Sequence, residues 1–293
     1  MGTNKIIATD LDGTLFYPRA RIRMIKHKNR VFLKKFFSEG GRLVVVSGRN
    51  RYISNMVGSK IHHPVDAIGC NGAFIISGGK TIRETFFDKK EISKILSEIR
   101  DEYNPPLVIL MSRDRNMVLN KTDVSHFTNF GYFVYQWSMG VYKETFIRSD
   151  RVFEEEMRKG DVYKIMVMFG LTKKKKLQAM EANKVFRKRY PEAEFSWVGE
   201  FIEITPKGCS KSEGLSFYLD YNSISHDNVV VVGDSGNDIS MFEAFPENSF
   251  CMKHGPENVR KRAANTIDRF FELGDYIYPS EEKIQTPKNE KER

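Results

Sequence analysis

Ile6-Ile7-Ala8-Thr9-Asp10-Leu11-Asp12-Gly13-Thr14 is the stretch on which the fold turns. Its apolar start reads as a buried strand over residues 5–9, ending at Asp10. Two carboxylates one residue apart then stand just ahead of a glycine. Alone, this is equally well a solvated strand-to-loop corner. Burying both carboxylates without partners is costly, so the rest of the chain must supply those partners or the corner is structural.

Working outward, the same arrangement of apolar strand and polar corner recurs. A helix is predicted around 29–39, with Val31, Phe32, Phe36 and Phe37 as its apolar face and Gly40-Gly41 as its stop. Leu43-Val44-Val45-Val46 is a continuous apolar run, typical of a strand covered on both faces, and it ends in Ser47-Gly48-Arg49. A second helix is placed over 50–57. The strand at 65–69 ends in Cys70-Asn71-Gly72-Ala73. Strands alternating with helices imply a parallel α/β sheet.

The alternation breaks off and later resumes. Phe74-Ile75-Ile76, the Gly78-Gly79 turn and residues 81–87 read as a hairpin. Asp88 is placed to cap a helix, with Glu91 at capping-box spacing and Ile92, Ile95, Leu96 and Ile99 as its apolar stripe. Strands are predicted near 107–112, 116–120, 162–169, 194–198 and 201–205, with a long basic helix from the Thr172 cap to about 190. Residues 121–161 resist assignment. From Pro206 the α/β pattern returns. Ser210-Lys211-Ser212-Glu213 has capping-box spacing and opens a helix carrying Leu215, Tyr218 and Leu219. The strand at 228–232 ends in Gly233-Asp234-Ser235-Gly236-Asn237-Asp238, and Met241, Phe242 and Phe245 belong to the helix after it. A strand at 249–252, a helix at 257–264 and a short strand at 266–268 complete the layer. The domain expectation is a core built from 1–83 and 204–278 with an inserted α+β unit at 84–203. The charged segment 279–293 lacks apolar periodicity and is expected to be disordered.

Composition narrows the class. The chain has 293 residues, 40% hydrophobic and 29% charged, as in ordinary soluble proteins. No apolar run reaches membrane-spanning length, and Met1–Lys5 leads into the first strand without a secretory apolar region. A myristoylation reading of Gly2 is weak, since Ile6 replaces the Ser or Thr that signal uses. Cys70, Cys209 and Cys251 are far apart and lack metal or redox spacing, as expected of reduced thiols in a cytoplasmic protein. The net charge of +9 favours anionic partners. The basic residues are spread along the chain, and the one dense run, Lys173 to Lys176, suits a solvated helix start better than a nucleic-acid patch.

Four polar clusters thus fall at strand C-termini or at a helix N-terminus: Asp10/Asp12, Ser47, Lys211, and Asp234/Asn237/Asp238. Open α/β sheets place ligands at that edge. Carboxylates gathered there repel one another unless a cation joins them, and hard oxygen donors favour Mg²⁺ over zinc. A hydroxyl, a lysine and backbone N–H groups suit a phosphate. Lys211 in a first helical turn opposes the helix dipole, a poor choice for stability alone.

These motifs carry a resemblance. Asp10-Leu11-Asp12-Gly13-Thr14, Ser47-Gly48-Arg49, Lys211 within Pro206-Lys207-Gly208-Cys209-Ser210-Lys211, and Gly233-Asp234-Ser235-Gly236-Asn237-Asp238 resemble, in order, the four motifs of the haloacid dehalogenase (HAD) superfamily phosphohydrolases of Cof type, subclass IIB. The resemblance extends to about residue 270. It implies a Rossmann-like parallel-sheet core with an inserted α+β cap of C2B type. It implies Asp10 as nucleophile and Mg²⁺ ligand, and Asp12 as general acid and base whose carbonyl also binds the ion. Asp234 is implied as a further ligand, and Asp238 as holding a water of the ion or orienting Lys211. Ser47 and Lys211 are implied to bind the phosphoryl group, with Gly48, Asn71 and Asn237 beside it, and Arg49 reads as a structural ion-pair partner. Met252-Lys253-His254-Gly255 departs from the family pattern near the site, as recognition residues or as surface charge.

The expected activity is Mg²⁺-dependent hydrolysis of small phosphomonoesters, such as sugar phosphates, through an aspartyl-phosphate. The alternatives are a phosphosugar mutase of the phosphomannomutase kind and a non-catalytic module binding anions or nucleic acid.

Overall fold

The computed structural model describes residues 5–18, 25–121 and 146–278. The tail expected to be disordered and most of the stretch left unassigned, 122–145, lie outside the described residues. The described strands form two sheets, of eight and six strands.

The first sheet has the order β14-β13-β12-β1-β2-β3-β4-β5. At its centre β1 (Ile6–Thr9) pairs parallel with both β2 (Arg42–Val46) and β12 (Val229–Gly233), so Ile7 stands opposite both Leu43 and Val230. Beyond these lie β3 (Asp66–Gly69) on one side and β13 (Ser249–Met252) and β14 (Asn265–Ile267) on the other, all parallel. The hairpin of β4 (Phe74–Ser77) and β5 (Lys80–Glu84) adds antiparallel strands at one edge. Side chains alternate between faces with a period of two. Ile7, Val45, Ala67, Val230 and Val232 pack on Phe32, Leu33 and Phe36 of the helix His27–Ser38. Ile6, Ala8, Val44, Val46, Val229 and Val231 face Leu215, Tyr218, Leu219, Met241 and Phe242 on the other side. Both faces are covered, which explains the unbroken apolar runs. Strand order reverses at β1, so the carboxyl ends of β1 and β12 open into one crevice.

The second sheet is inserted between β5 and β12, with the order β10-β11-β9-β6-β7-β8. Its strands are β6 (Leu107–Ser112), β7 (Met117–Lys121), β8 (Phe146–Arg148), β9 (Val162–Met168), β10 (Ala193–Val198) and β11 (Phe201–Pro206). One face packs on three helices, Lys89–Tyr103, Asp150–Lys159 and Lys173–Arg189, through Ile95, Ile99, Phe153, Ala179 and Phe186. The other face lays Leu107, Ile109, Met117 and Phe201 against Cys70, Phe74 and Cys209 of the first sheet's layer. A mixed sheet therefore roofs one end of a parallel one.

Several elements differ from expectation. Val31 is 55% exposed, and Leu33 takes its place in the core. The second helix is Ile53–Ile61, not 50–57. Asn50 cannot start it, because its amide donates to Ser112 O and Arg115 O, both at 3.1 Å, while its Oδ1 accepts from Arg51 N–H at 2.7 Å. The helix expected over 257–264 stops at Arg260. The helices Asp150–Lys159 and Leu273–Ile277 were not anticipated. The first of these had legible ends: Ser149 caps it by accepting from Val152 N–H at 3.3 Å, and Gly160 closes it at φ +84°.

Candidate active site

The acidic corner is built by backbone geometry. Asp10 N–H donates to Val232 O at 2.9 Å, which places the first carboxylate at the carboxyl end of β1 beside β12. The chain then turns through Leu11–Leu15, with Gly13 at φ +88°. A Cβ there would run into the carboxylate of Asp234, so only glycine fits the turn. Thr14 Oγ1 donates to Asp234 Oδ1 at 3.2 Å, tying the two strand ends together.

Lys211 reaches the corner from the first turn of the helix Lys211–Tyr221, which Ser210 caps by accepting from Glu213 N–H at 3.2 Å. Its ammonium is buried and donates to Asp10 Oδ1 at 2.7 Å and to Asp238 Oδ1 at 2.6 Å. Asp238 spends its other oxygen on the N–H groups of Asp234 and Ser235, both at 2.9 Å. Asp10, Asp234 and Asp238 are all buried, and each offers an oxygen within 4.8 Å of the others.

Three carboxylates facing one ammonium leave negative charge in excess. Burial holds the Asp10 carboxyl well above the usual carboxylate range, with the Asp238, Asp234 and Asp12 carboxylates adding to this and Lys211 only partly opposing it. Asp234 is raised too, chiefly by burial, although His254 and Lys211 pull the other way. Burial by itself would lower the Lys211 pKa, but Asp10 and Asp238 more than reverse this and raise it. Hard oxygen donors around unbalanced negative charge fit a small divalent cation. Asp10 and Asp234 have the oxygens to hold one, whereas Asp238 is committed to Lys211 and the backbone.

The remaining predicted residues gather around this centre. Ser47 N–H donates to Ile68 O at 2.9 Å, and its Oγ accepts from Arg49 N–H at 3.3 Å, so it shapes its own turn and caps no helix. Arg49 forks onto Asp12, with Nε to Oδ2 and Nη2 to Oδ1 both at 2.6 Å. The Asp12 side chain therefore points to Arg49 and stands outside the three-carboxylate group. Cys70 and Asn71 take left-handed conformations, φ +46° and +55°, and Asn71 N–H donates to Ser47 O at 3.1 Å. Asn237 Nδ2 reaches Asn71 Oδ1 at 3.4 Å. A cleft of about 340 Å³ opens from Asn71, Lys211 and Asn237 towards Asn183, Arg187 and Trp197 of the inserted unit.

Three residues of the site went unassigned or undecided in the sequence reading. His254 stands with Nε2 3.4 Å from Asp234 Oδ2 and stacks on Tyr17 at 3.9 Å between ring centroids, whereas its neighbour Lys253 turns to Asp268 at 3.6 Å. Lys164 and Glu203 enter from the second sheet and contact Gly48, Asn71 and Asn237. Their signal was a single charge inside an otherwise apolar strand, since Lys and Glu are rarely fully buried unless paired.

The comparisons agree with this architecture. A family model described as haloacid dehalogenase-like hydrolase matches residues 7–270. Pyridoxal phosphate phosphatase YbhA of Escherichia coli is 28% identical over 286 residues, covering 94% of this chain and 98% of that protein. 5-Amino-6-(5-phospho-D-ribitylamino)uracil phosphatase YwtE of Bacillus subtilis is 27% identical, covering 82% and 84%. The solved structure of the HAD subclass IIB sugar phosphatase BT4131 superposes with a TM-score of 0.72 at 18% identity, covering 93% of this chain and 98% of that one. With the two-sheet architecture and the buried acidic centre, the match over residues 7–270 shows that the chain belongs to the haloacid dehalogenase-like hydrolase family.

Proposed function

We propose that the protein hydrolyses small phosphomonoesters, sugar phosphates or similar phosphorylated metabolites, with Mg²⁺ as cofactor and an aspartyl-phosphate on Asp10 as intermediate. The observation that carries this is the Asp10 carboxylate, buried at the switch point of the sheet and pinned by Lys211 at 2.7 Å. Relatives named as phosphatases of pyridoxal phosphate and of a phosphoribityl compound support the substrate class.

Asp10 attacks phosphorus as the bond to the leaving oxygen breaks, and Asp12 delivers a proton to that oxygen. Asp12 then takes a proton from water, which attacks the same phosphorus and releases Asp10 and inorganic phosphate. Arg49 holds both Asp12 oxygens in this structure, and it must yield one of them for these proton transfers. Ser47, the Gly48 backbone, Lys211, Asn71 and Asn237 cradle the phosphoryl oxygens, and Asp238 aims Lys211 at them. Asp10, Asp234 and the Asp12 carbonyl would hold Mg²⁺, which would supply neutralisation of the charge on the transferring group. The inserted sheet excludes water and meets the leaving group.

A hydrolysis screen over phosphorylated metabolites with Mg²⁺ tests the reading, together with ¹⁸O-labelled water. The label is expected in released phosphate. Isomerised sugar phosphate without free phosphate would replace hydrolysis by mutase chemistry.

A further inference from the structure

The second sheet sends two charged side chains down into the site. Lys164 of β9 is 1% exposed and Glu203 of β11 is 5% exposed. Lys164 Nζ donates to Glu203 Oε1 at 2.5 Å and to Gly48 O at 3.0 Å. Glu203 Oε2 accepts from Asn71 Nδ2 at 2.6 Å and from Asn237 Nδ2 at 3.3 Å. One ion pair thus touches the loops that follow β2, β3 and β12. Gly48 is shaped for this contact, since a Cβ there would lie 2.7 Å from Lys164 Nζ. Burying such a pair is a weak way to add stability, because desolvating two ions offsets most of their attraction. Burial would raise the Glu203 carboxyl, but Lys164, its bond to Asn71 and the nearby Lys211 hold it below the usual range, so it stays ionised.

The pair is also incompletely satisfied. A carboxylate accepts about four hydrogen bonds and an ammonium donates three. Lys164, Asn71 and Asn237 occupy three positions on Glu203, and Glu203 and Gly48 occupy two on Lys164. One acceptor on Glu203 and one donor on Lys164 are left over, on side chains almost closed to bulk water, where polar groups ordinarily use their full capacity. Gly48, Asn71 and Asn237, the residues this pair touches, are those proposed to cradle the phosphoryl group, so the pair stands against the loops of that site.

Resting on the phosphatase reading, we infer that Lys164 and Glu203 are specificity-determining residues that read a hydroxyl on the leaving group. The hydroxyl donates to Glu203 and accepts from Lys164. A carboxylate or second phosphate in that position meets the Glu203 charge, and an apolar group leaves both valences unmet.

The test compares kcat/KM of the Mg²⁺-loaded enzyme on hydroxyl-bearing esters (glucose 6-phosphate, fructose 1-phosphate, glycerol 1-phosphate) and on p-nitrophenyl phosphate, which has no hydroxyl. Glu203→Gln keeps an acceptor for Asn71 but turns the free position into a donor. It is expected to lower the best hydroxyl-bearing ester about tenfold or more beyond whatever loss it causes on p-nitrophenyl phosphate. The doubly neutral Lys164→Met/Glu203→Gln variant leaves no unpaired buried charge and is expected to show the same selective loss. A parallel fall on both ester classes, or no change on either, overturns the inference. Failure of both variants to fold also overturns it, by making the pair structural. A wild-type enzyme inactive on every ester would overturn the phosphatase reading itself and this inference with it, before any substitution is made.

Discussion

Asp10 sits where its charge costs the fold stability. A carboxyl whose folded pKa is raised loses stability as pH rises through that value, and the cost vanishes once the group is protonated in both states. At pH 7 without added cation, Asp10→Asn is therefore expected to melt higher than the wild type, by about 2–4 °C for each kcal/mol recovered. The gain should fade as pH falls toward the ordinary carboxyl value of 3.8. Thermal melts across pH check this, and a lower melting temperature at pH 7 would contradict the electrostatic account. Lys211→Met acts in the opposite sense. It leaves Asp10 and Asp238 buried without their cation, and is expected to destabilise by about 3–5 kcal/mol and to reduce kcat by at least about 10²-fold. Urea titration and steady-state kinetics read the two effects separately.

Asp10, Lys211 and Asp234 were legible at the residue scale because each breaks a local rule. Carboxylates end an apolar strand, and a lysine opposes a helix dipole. The Arg49 fork was anticipated as an ion pair, although its partner Asp12 was not. Lys164 and Glu203 stand out as lone charges in apolar strands, but what they meet was not legible, because it depends on how two sheets pack.

Elements were read well where periodicity and caps agreed. The helix Lys89–Tyr103 buries Ile92, Ile95, Leu96 and Ile99 as expected, and Asp88 caps it by accepting from Lys90 and Glu91 N–H groups. Position 50 failed because the Asn50 side chain is spent on the second sheet, a contact no local pattern reveals. The helix Asp150–Lys159 carried its cap and its glycine in plain view but lay beside a stretch without periodicity. Its Gly160, at φ +84°, is expected to cost about 1 kcal/mol or more when replaced by Ala, because the added Cβ also meets the Lys89 side chain. At the centre of the same unit, Phe186→Ala removes a fully buried ring and is expected to cost about 3–5 kcal/mol. Chemical denaturation measures both, and a loss below about 1 kcal/mol for Phe186→Ala would show that its packing had been misjudged.

At the scale of the whole molecule, the alternating pattern and its interruption were enough to expect a parallel sheet with a second unit inserted, and two sheets in that relation are observed. The way the second sheet roofs the first, through Leu107, Ile109 and Phe201 on Cys70 and Phe74, was not readable, since both faces of those strands are apolar. Among the described residues, no helix is long and apolar enough to cross a membrane. The excess negative charge at Asp10, Asp234 and Asp238 gives a global readout. Mg²⁺ at 100 times its Kd is expected to stabilise the wild type by about 2.7 kcal/mol, and to stabilise Asp10→Asn much less. Equal stabilisation of both would remove the cation from this site.

The central claim is that Asp10 carries the chemistry, and hydrolysis of p-nitrophenyl phosphate with Mg²⁺ by the wild type and by Asp10→Asn tests it most directly. The account predicts a folded variant whose kcat is lower by at least about 10³-fold, as for loss of a covalent nucleophile. A folded Asp10→Asn protein with near-wild-type turnover would contradict it.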